Sequence, residues 1–79
     1  MKGTRHDLHD NGILEPGEYG LISGIWFACT PNGLTARLYA HQVIEHDNGI
    51  ITVSPSIFVK KYNGQEWHGY LERGVWREV

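Results

Sequence analysis

One cysteine, no long apolar run, almost no net charge and no helical periodicity beyond residue 13 are the shortages of this chain, and each removes a class of protein. Cys29 alone cannot make an internal disulfide, and no second cysteine exists to complete a cysteine-rich zinc site. The usual staples of very small proteins are therefore missing. No segment approaches the ~20 apolar residues that cross a bilayer, and Met1-Lys2-Gly3-Thr4-Arg5-His6-Asp7 has no hydrophobic stretch of the kind a signal peptide carries. A soluble, cytoplasmic protein without a membrane partner is expected. Seven Lys and Arg against nine Asp and Glu leave a formal charge of -2, where a phosphate-backbone binder shows a basic stripe, so nucleic acid is not the expected partner.

What is present argues for a fold all the same. Leu, Ile, Val and Phe make up 20 of 79 residues, above the range typical of disordered chains. A domain of this length buries only ~60% of its unfolded surface. Dense packing of the nine aromatic residues, or association into a homo-oligomer, has to supply the remaining stability.

Ten glycines and three prolines punctuate the chain at short intervals, and the intervening segments favour β-branched and aromatic residues. The expectation is an all-β fold, an antiparallel meander curling into a small barrel or sandwich. Strands are read at Tyr19–Ile22, Gly24–Cys29, Leu34–Tyr39, Gln42–Glu45, Ile50–Val59, Trp67–Leu71 and Val75–Val79. Pro31-Asn32-Gly33, Asp47-Asn48-Gly49 and Tyr62-Asn63-Gly64 are turns, and Glu72-Arg73-Gly74 closes a fourth. Residues 1–12, polar and without period, read as a flexible arm, and residues 13–79 as the single domain.

The most unusual stretch is Thr52-Val53-Ser54-Pro55-Ser56-Ile57, a strand interrupted by a proline that cannot donate to a ladder. The strand must lie at an edge or carry a bulge there, and bulges often aim side chains at functional sites. Ser54 and Ser56 are either two solvated hydroxyls or the source of a nucleophile. A serine hydroxyl needs a base that takes its proton, and His68, in Trp67-His68-Gly69-Tyr70, lies on the strand expected to return beside Ser56. Hairpin register decides whether they meet. With Asn63-Gly64 as a two-residue loop, His68 pairs with Val59 and points away; with a five-residue loop from Lys60 to Gly64, Ser56 and His68 stand directly opposite. Asp47 either orients the imidazole as a third member or caps its own turn.

No cofactor or metal is expected. His6 with His9, and His41 with His46, do not match a zinc spacing, and the Gly-x-x-x-x-Gly spacings lack the Lys and Ser/Thr of a phosphate loop. Cys29, closing Ile25-Trp26-Phe27-Ala28-Cys29, reads as a small buried hydrophobe.

The order Trp26-Phe27-x-Cys29, an acidic turn at Asp47, Thr52-x-Ser54-Pro55-Ser56-Ile57 and then Trp67-His68-Gly69-Tyr70-Leu71 resembles the BubE-like family over residues 25–76. That family is the small peptidase-like component of bacterial ubiquitin-like conjugation operons, with short versions in bacteriophage genomes. The resemblance implies a serine-dependent, deubiquitinase-like hydrolase that processes or removes a ubiquitin-like protein, with Ser56 as nucleophile, His68 as base and Asp47 as the loosely matched acid. Relatives carry a cysteine-rich turn where this chain has Cys29-Thr30-Pro31-Asn32-Gly33, and a cysteine where it has Trp67, so a metal-stapled form does not carry over. The alternative expectation is a non-catalytic phage accessory or inhibitor protein that binds a protein partner through an edge strand and exposed aromatics.

Overall fold

In the computed structural model, which describes residues 1–9 and 12–79, eight strands and no helix are present among the described residues. They are β1 (Thr4–Arg5), β2 (Glu18–Ile22), β3 (Ile25–Cys29), β4 (Thr35–Arg37), β5 (Gln42–Glu45), β6 (Ile51–Lys60), β7 (Glu66–Glu72) and β8 (Val75–Glu78). Two four-stranded sheets result, ordered β1-β2-β3-β4 and β5-β6-β7-β8. The fold is all-β as the residue pattern requires, and each strand read from β2 to β8 lies within three residues of its expected ends.

The turns explain this agreement. Thr30-Pro31-Asn32-Gly33-Leu34, His46-Asp47-Asn48-Gly49-Ile50 and Lys61-Tyr62-Asn63-Gly64-Gln65 share one pattern. In each, the glycine N–H donates to the first residue's carbonyl, and the first residue's N–H donates to the fifth's carbonyl. The glycines sit at φ 91°, 85° and 92°, the left-handed region open to a residue without Cβ. Each is a three-residue hairpin loop rather than a two- or five-residue one. The two tightest hairpins, at Ser23-Gly24 and Arg73-Gly74, hold both loop residues at positive φ.

One face of each sheet turns inward. Tyr19, Ala28, Leu34, Leu38, Ile51, Val53, Ile57, Trp67, Leu71 and Trp76 form one buried cluster drawn from both sheets. Trp67 and Trp76 meet edge to face at 5.3 Å, and the Trp76 indole N–H donates to the Gly17 carbonyl at 2.9 Å, satisfying the one polar atom that its burial would otherwise strand. Gly69 explains itself in the same layer. A Cβ there would run into the Trp67 ring and the Arg77 carbonyl, so the strand needs a glycine at this point.

Residues 1–9, assigned by composition to a loose arm, are tied into both sheets. Met1 accepts from Trp76 N–H, Gly3 N–H donates to Gly74, His6 N–H to Tyr19 and Leu8 N–H to Leu21. Lys2 bridges Val75, while Thr4 and Arg5 pair in parallel with Glu18 and Tyr19, so this segment joins the edge of one sheet to the edge of the other. Arg5 reinforces the seam. Its guanidinium stacks over Trp26 at 4.7 Å and donates to Asp7, Glu45 and the Gly49 carbonyl, linking the arm to the β5–β6 turn. The signal was missed because a polar chain without alternation hydrogen-bonds through its main chain, which composition does not register. Of the rest of the expected arm over 1–12, residues 10–11 lie outside the described residues.

Candidate active site

The site is built by an interruption of β6. Val53 pairs with Leu71 and Ile57 with Gly69, so Ser54, Pro55 and Ser56 together face the single residue Tyr70. This is the bulge that Pro55 demands. Beyond it the register is fixed by the Lys61–Gln65 loop, and Phe58, not Ser56 or Val59, stands opposite His68. Both registers considered from sequence are thus corrected by the three-residue loop.

Ser56 and His68 nevertheless meet. The core takes Ile57, Trp67 and Gly69, so Phe58 and His68 project from the outer face, with Ser56 diagonally beside them. The Ser56 Oγ lies 2.9 Å from His68 Nε2. This is hydrogen-bond distance for a hydroxyl donating to a bare ring nitrogen, the arrangement that lets an imidazole remove the hydroxyl proton. Phe58 leans edge-on against the ring at 5.6 Å, shielding one side of it. Ser54 is exposed earlier in the bulge and makes no hydrogen bond to the imidazole.

Asp47 is not brought to the pair. It lies in the β5–β6 turn, beside a depression lined also by Glu45, His46, Asn48 and Arg73, and no hydrogen bond or ion pair joins its carboxylate to His68. It does not cap the turn either; Asn48 Oδ1 accepts from Ile50 N–H at 3.4 Å. The carboxylates that border His68 are Glu66 and Glu78, which line a shallow depression of about 370 Å³ together with Phe58, Trp67, His68 and Val79. Glu66 was legible from sequence: two residues before His68 on one strand, it shares its face.

The other histidines have separate partners. His46 Nε2 lies 2.7 Å from Thr52 Oγ1, which also accepts from Arg73 N–H at 2.9 Å. His41 Nε2 donates to the Ser56 carbonyl at 3.1 Å. No cluster of three or more metal-binding side chains occurs among the described residues. Cys29 is buried, and burial pushes its thiol pKa up, keeping it protonated and unreactive.

Main-chain groups complete the site. The Lys61–Gln65 bond sets the ladder's alternation, turning Ile57 and Val59 toward β7 and leaving the N–H and carbonyl of Phe58 directed away from it. The same alternation accounts for the His68 carbonyl, which accepts from Val79 N–H on the opposite side. On the outward side β5 pairs with β6 only as far as Ser54, so among the described residues the stretch of β6 from Ser56 to Lys60 has no strand partner there.

No helix among the described residues is long and apolar enough to cross a membrane. No family model, curated protein or solved structure matches this chain.

Proposed function

We propose that this protein is a serine-dependent hydrolase of the deubiquitinase type, acting on the extended end of a protein such as a ubiquitin-like modifier. The observation that carries the reading is the 2.9 Å contact between Ser56 Oγ and His68 Nε2 at a bulge in an otherwise regular strand. His68 takes the Ser56 proton as Oγ bonds to the substrate's carbonyl carbon, and the carbonyl π pair moves onto oxygen. Collapse of that intermediate expels the leaving amine or alkoxide, which His68 protonates, and water then releases the acyl group from Ser56 by the same steps in reverse. The outward N–H of Phe58 is the main-chain donor available to the oxyanion; Pro55 has none to offer. Asp47 is left out of this mechanism, and the pair works as a dyad.

The open surface suits a large substrate. Ser56 and His68 stand on a sheet face beside an unpartnered strand edge, which favours an extended polypeptide added as a further strand over an enclosed small molecule. One observation favours the non-catalytic reading. Tyr39 and Tyr62 are 80% and 105% exposed, large rings free to anchor a partner without chemistry.

Reaction with a fluorophosphonate, read by intact mass, separates the two. Single-site labelling is expected for the parent protein, none for Ser56→Ala, and labelling slower by about 10²–10⁴-fold for His68→Ala. A folded parent protein that takes up no label refutes the hydrolase and leaves the binding module.

A further inference from the structure

We propose that His41 is the positioning residue of this site, holding the Ser56 peptide so that the hydroxyl stays within reach of His68. Three features of the fold converge on it. First, β5 pairs with β6 only as far as Gln42 opposite Ser54, so among the described residues no strand continues the ladder beside Ser56. Second, the His41 side chain reaches the Ser56 carbonyl just past the end of that ladder. A carbonyl oxygen only accepts, so the 3.1 Å contact fixes His41 Nε2 as the donor and Ser56 O as the acceptor. Third, His41 is anchored at its other end, because its own N–H donates to the Leu38 carbonyl and closes the turn that leads into β5.

The consequence falls on Ser56 Oγ. The Ser56 carbonyl defines the plane of the Ser56–Ile57 peptide, which helps to set where the Ser56 Cα–Cβ bond points. Three residues facing one leave that stretch short of ladder bonds, so a side-chain donor on the free edge is what pins it. His41 Nδ1 is buried with no hydrogen-bond partner among the described residues, so there the ring has no second polar attachment to compete with the one to Ser56. A second imidazole thus acts on the nucleophile's main chain while His68 acts on its hydroxyl.

The test uses the full chain with His41→Gln, whose amide N–H₂ stands in for Nε2–H, and His41→Phe, which keeps a ring but loses the donor. If His41→Phe does not fold, His41→Asn, with an amide too short to reach, replaces it. The first readout, independent of any activity, is the ring ¹⁵N signals of His68 by NMR, with Ser56→Ala marking the signal of a broken pair. His41→Phe is expected to move His68 toward the Ser56→Ala position while His41→Gln stays near the parent. The second readout is the fluorophosphonate rate, which rests on the hydrolase reading: a loss of about 10- to 100-fold for His41→Phe is expected, largely restored in His41→Gln. Unchanged His68 signals in a folded donor-less variant overturn the proposal. A parent protein that takes no label overturns the hydrolase reading instead, and the NMR comparison then decides the role of His41 alone.

Discussion

Two hydroxyl–imidazole pairs stand on β6, one near its start and one at its middle, and they differ in what else the hydroxyl does. Thr52 Oγ1 is 2.7 Å from His46 Nε2 and also accepts the Arg73 N–H at 2.9 Å, so it fastens the β7–β8 turn to β6. Ser56 Oγ has His68 as its hydrogen-bond partner and lies at the exposed bulge. A hydroxyl whose lone pair is taken by a main-chain donor is a structural joint, and its Cβ branch crowds any approach. Ser56 has a primary, half-buried hydroxyl at a strand interruption, facing an imidazole, which is the arrangement the proposed hydrolase reading uses. The same two functional groups therefore serve different ends according to the backbone around them.

The comparison breaks most visibly under a serine-reactive probe. Ser56→Ala is expected to abolish labelling and His68→Ala to slow it by about 10²–10⁴-fold, while Thr52→Val leaves the rate unchanged, all read by intact mass. Stability should show the reverse order. Thr52→Val keeps the shape but leaves the Arg73 N–H without its acceptor, at a cost of about 1–2 kcal/mol in urea unfolding, against less than about 0.5 kcal/mol for Ser56→Ala.

Acid should loosen the Arg5 seam at the β5–β6 turn. The Arg5 guanidinium, and then the Leu21 N–H, hold the Asp7 carboxyl below the usual carboxylate range. Glu18 is lowered mainly by the Glu15 N–H. A depressed folded-state pKa contributes stability that is fully present above the unfolded value, about 4, and is lost as pH falls through the folded one. The urea midpoint is accordingly expected to fall from about pH 5 downward, less steeply in Asp7→Asn, with amide exchange rising first where Arg5 clasps Glu45 and Gly49. An equally steep decline in Asp7→Asn would remove Asp7 from this account. A small effect of opposite sign belongs to Arg73, held at φ 47°, where asparagine is better tolerated. Arg73→Asn retains the N–H that Thr52 accepts and should raise stability by roughly 0.5 kcal/mol in the same assay, with no change in labelling.

Much of this architecture is local and so was open to reading from the residues. Asn-Gly turns, β-branched runs and a proline inside a strand act within a few positions of themselves, and they placed β2 to β8 and the bulge. The Ser56–His68 pairing was open to reading only as a choice between registers, because one residue of loop length flips every side chain to the other face. The structure took neither register: the left-handed Gly64 closed a three-residue loop, and the bulge absorbed the offset.

Three matters were decided by tertiary structure alone. The N-terminal segment became the seam between the sheets because both had a free edge within its reach, a fact held by no residue of the segment itself. Asp47 stayed with the β5–β6 turn instead of joining His68, since neighbours in sequence order are not neighbours across a bulged sheet. His41 meets the Ser56 carbonyl because strand pairing ends the β5–β6 ladder at Gln42 and Ser54, just short of it. The sequence by itself determined strands and turns and set Ser56 and His68 on neighbouring strands; long-range pairing determined which edges closed and what holds Ser56 in place, because those contacts depend on the whole set of strands rather than on any segment.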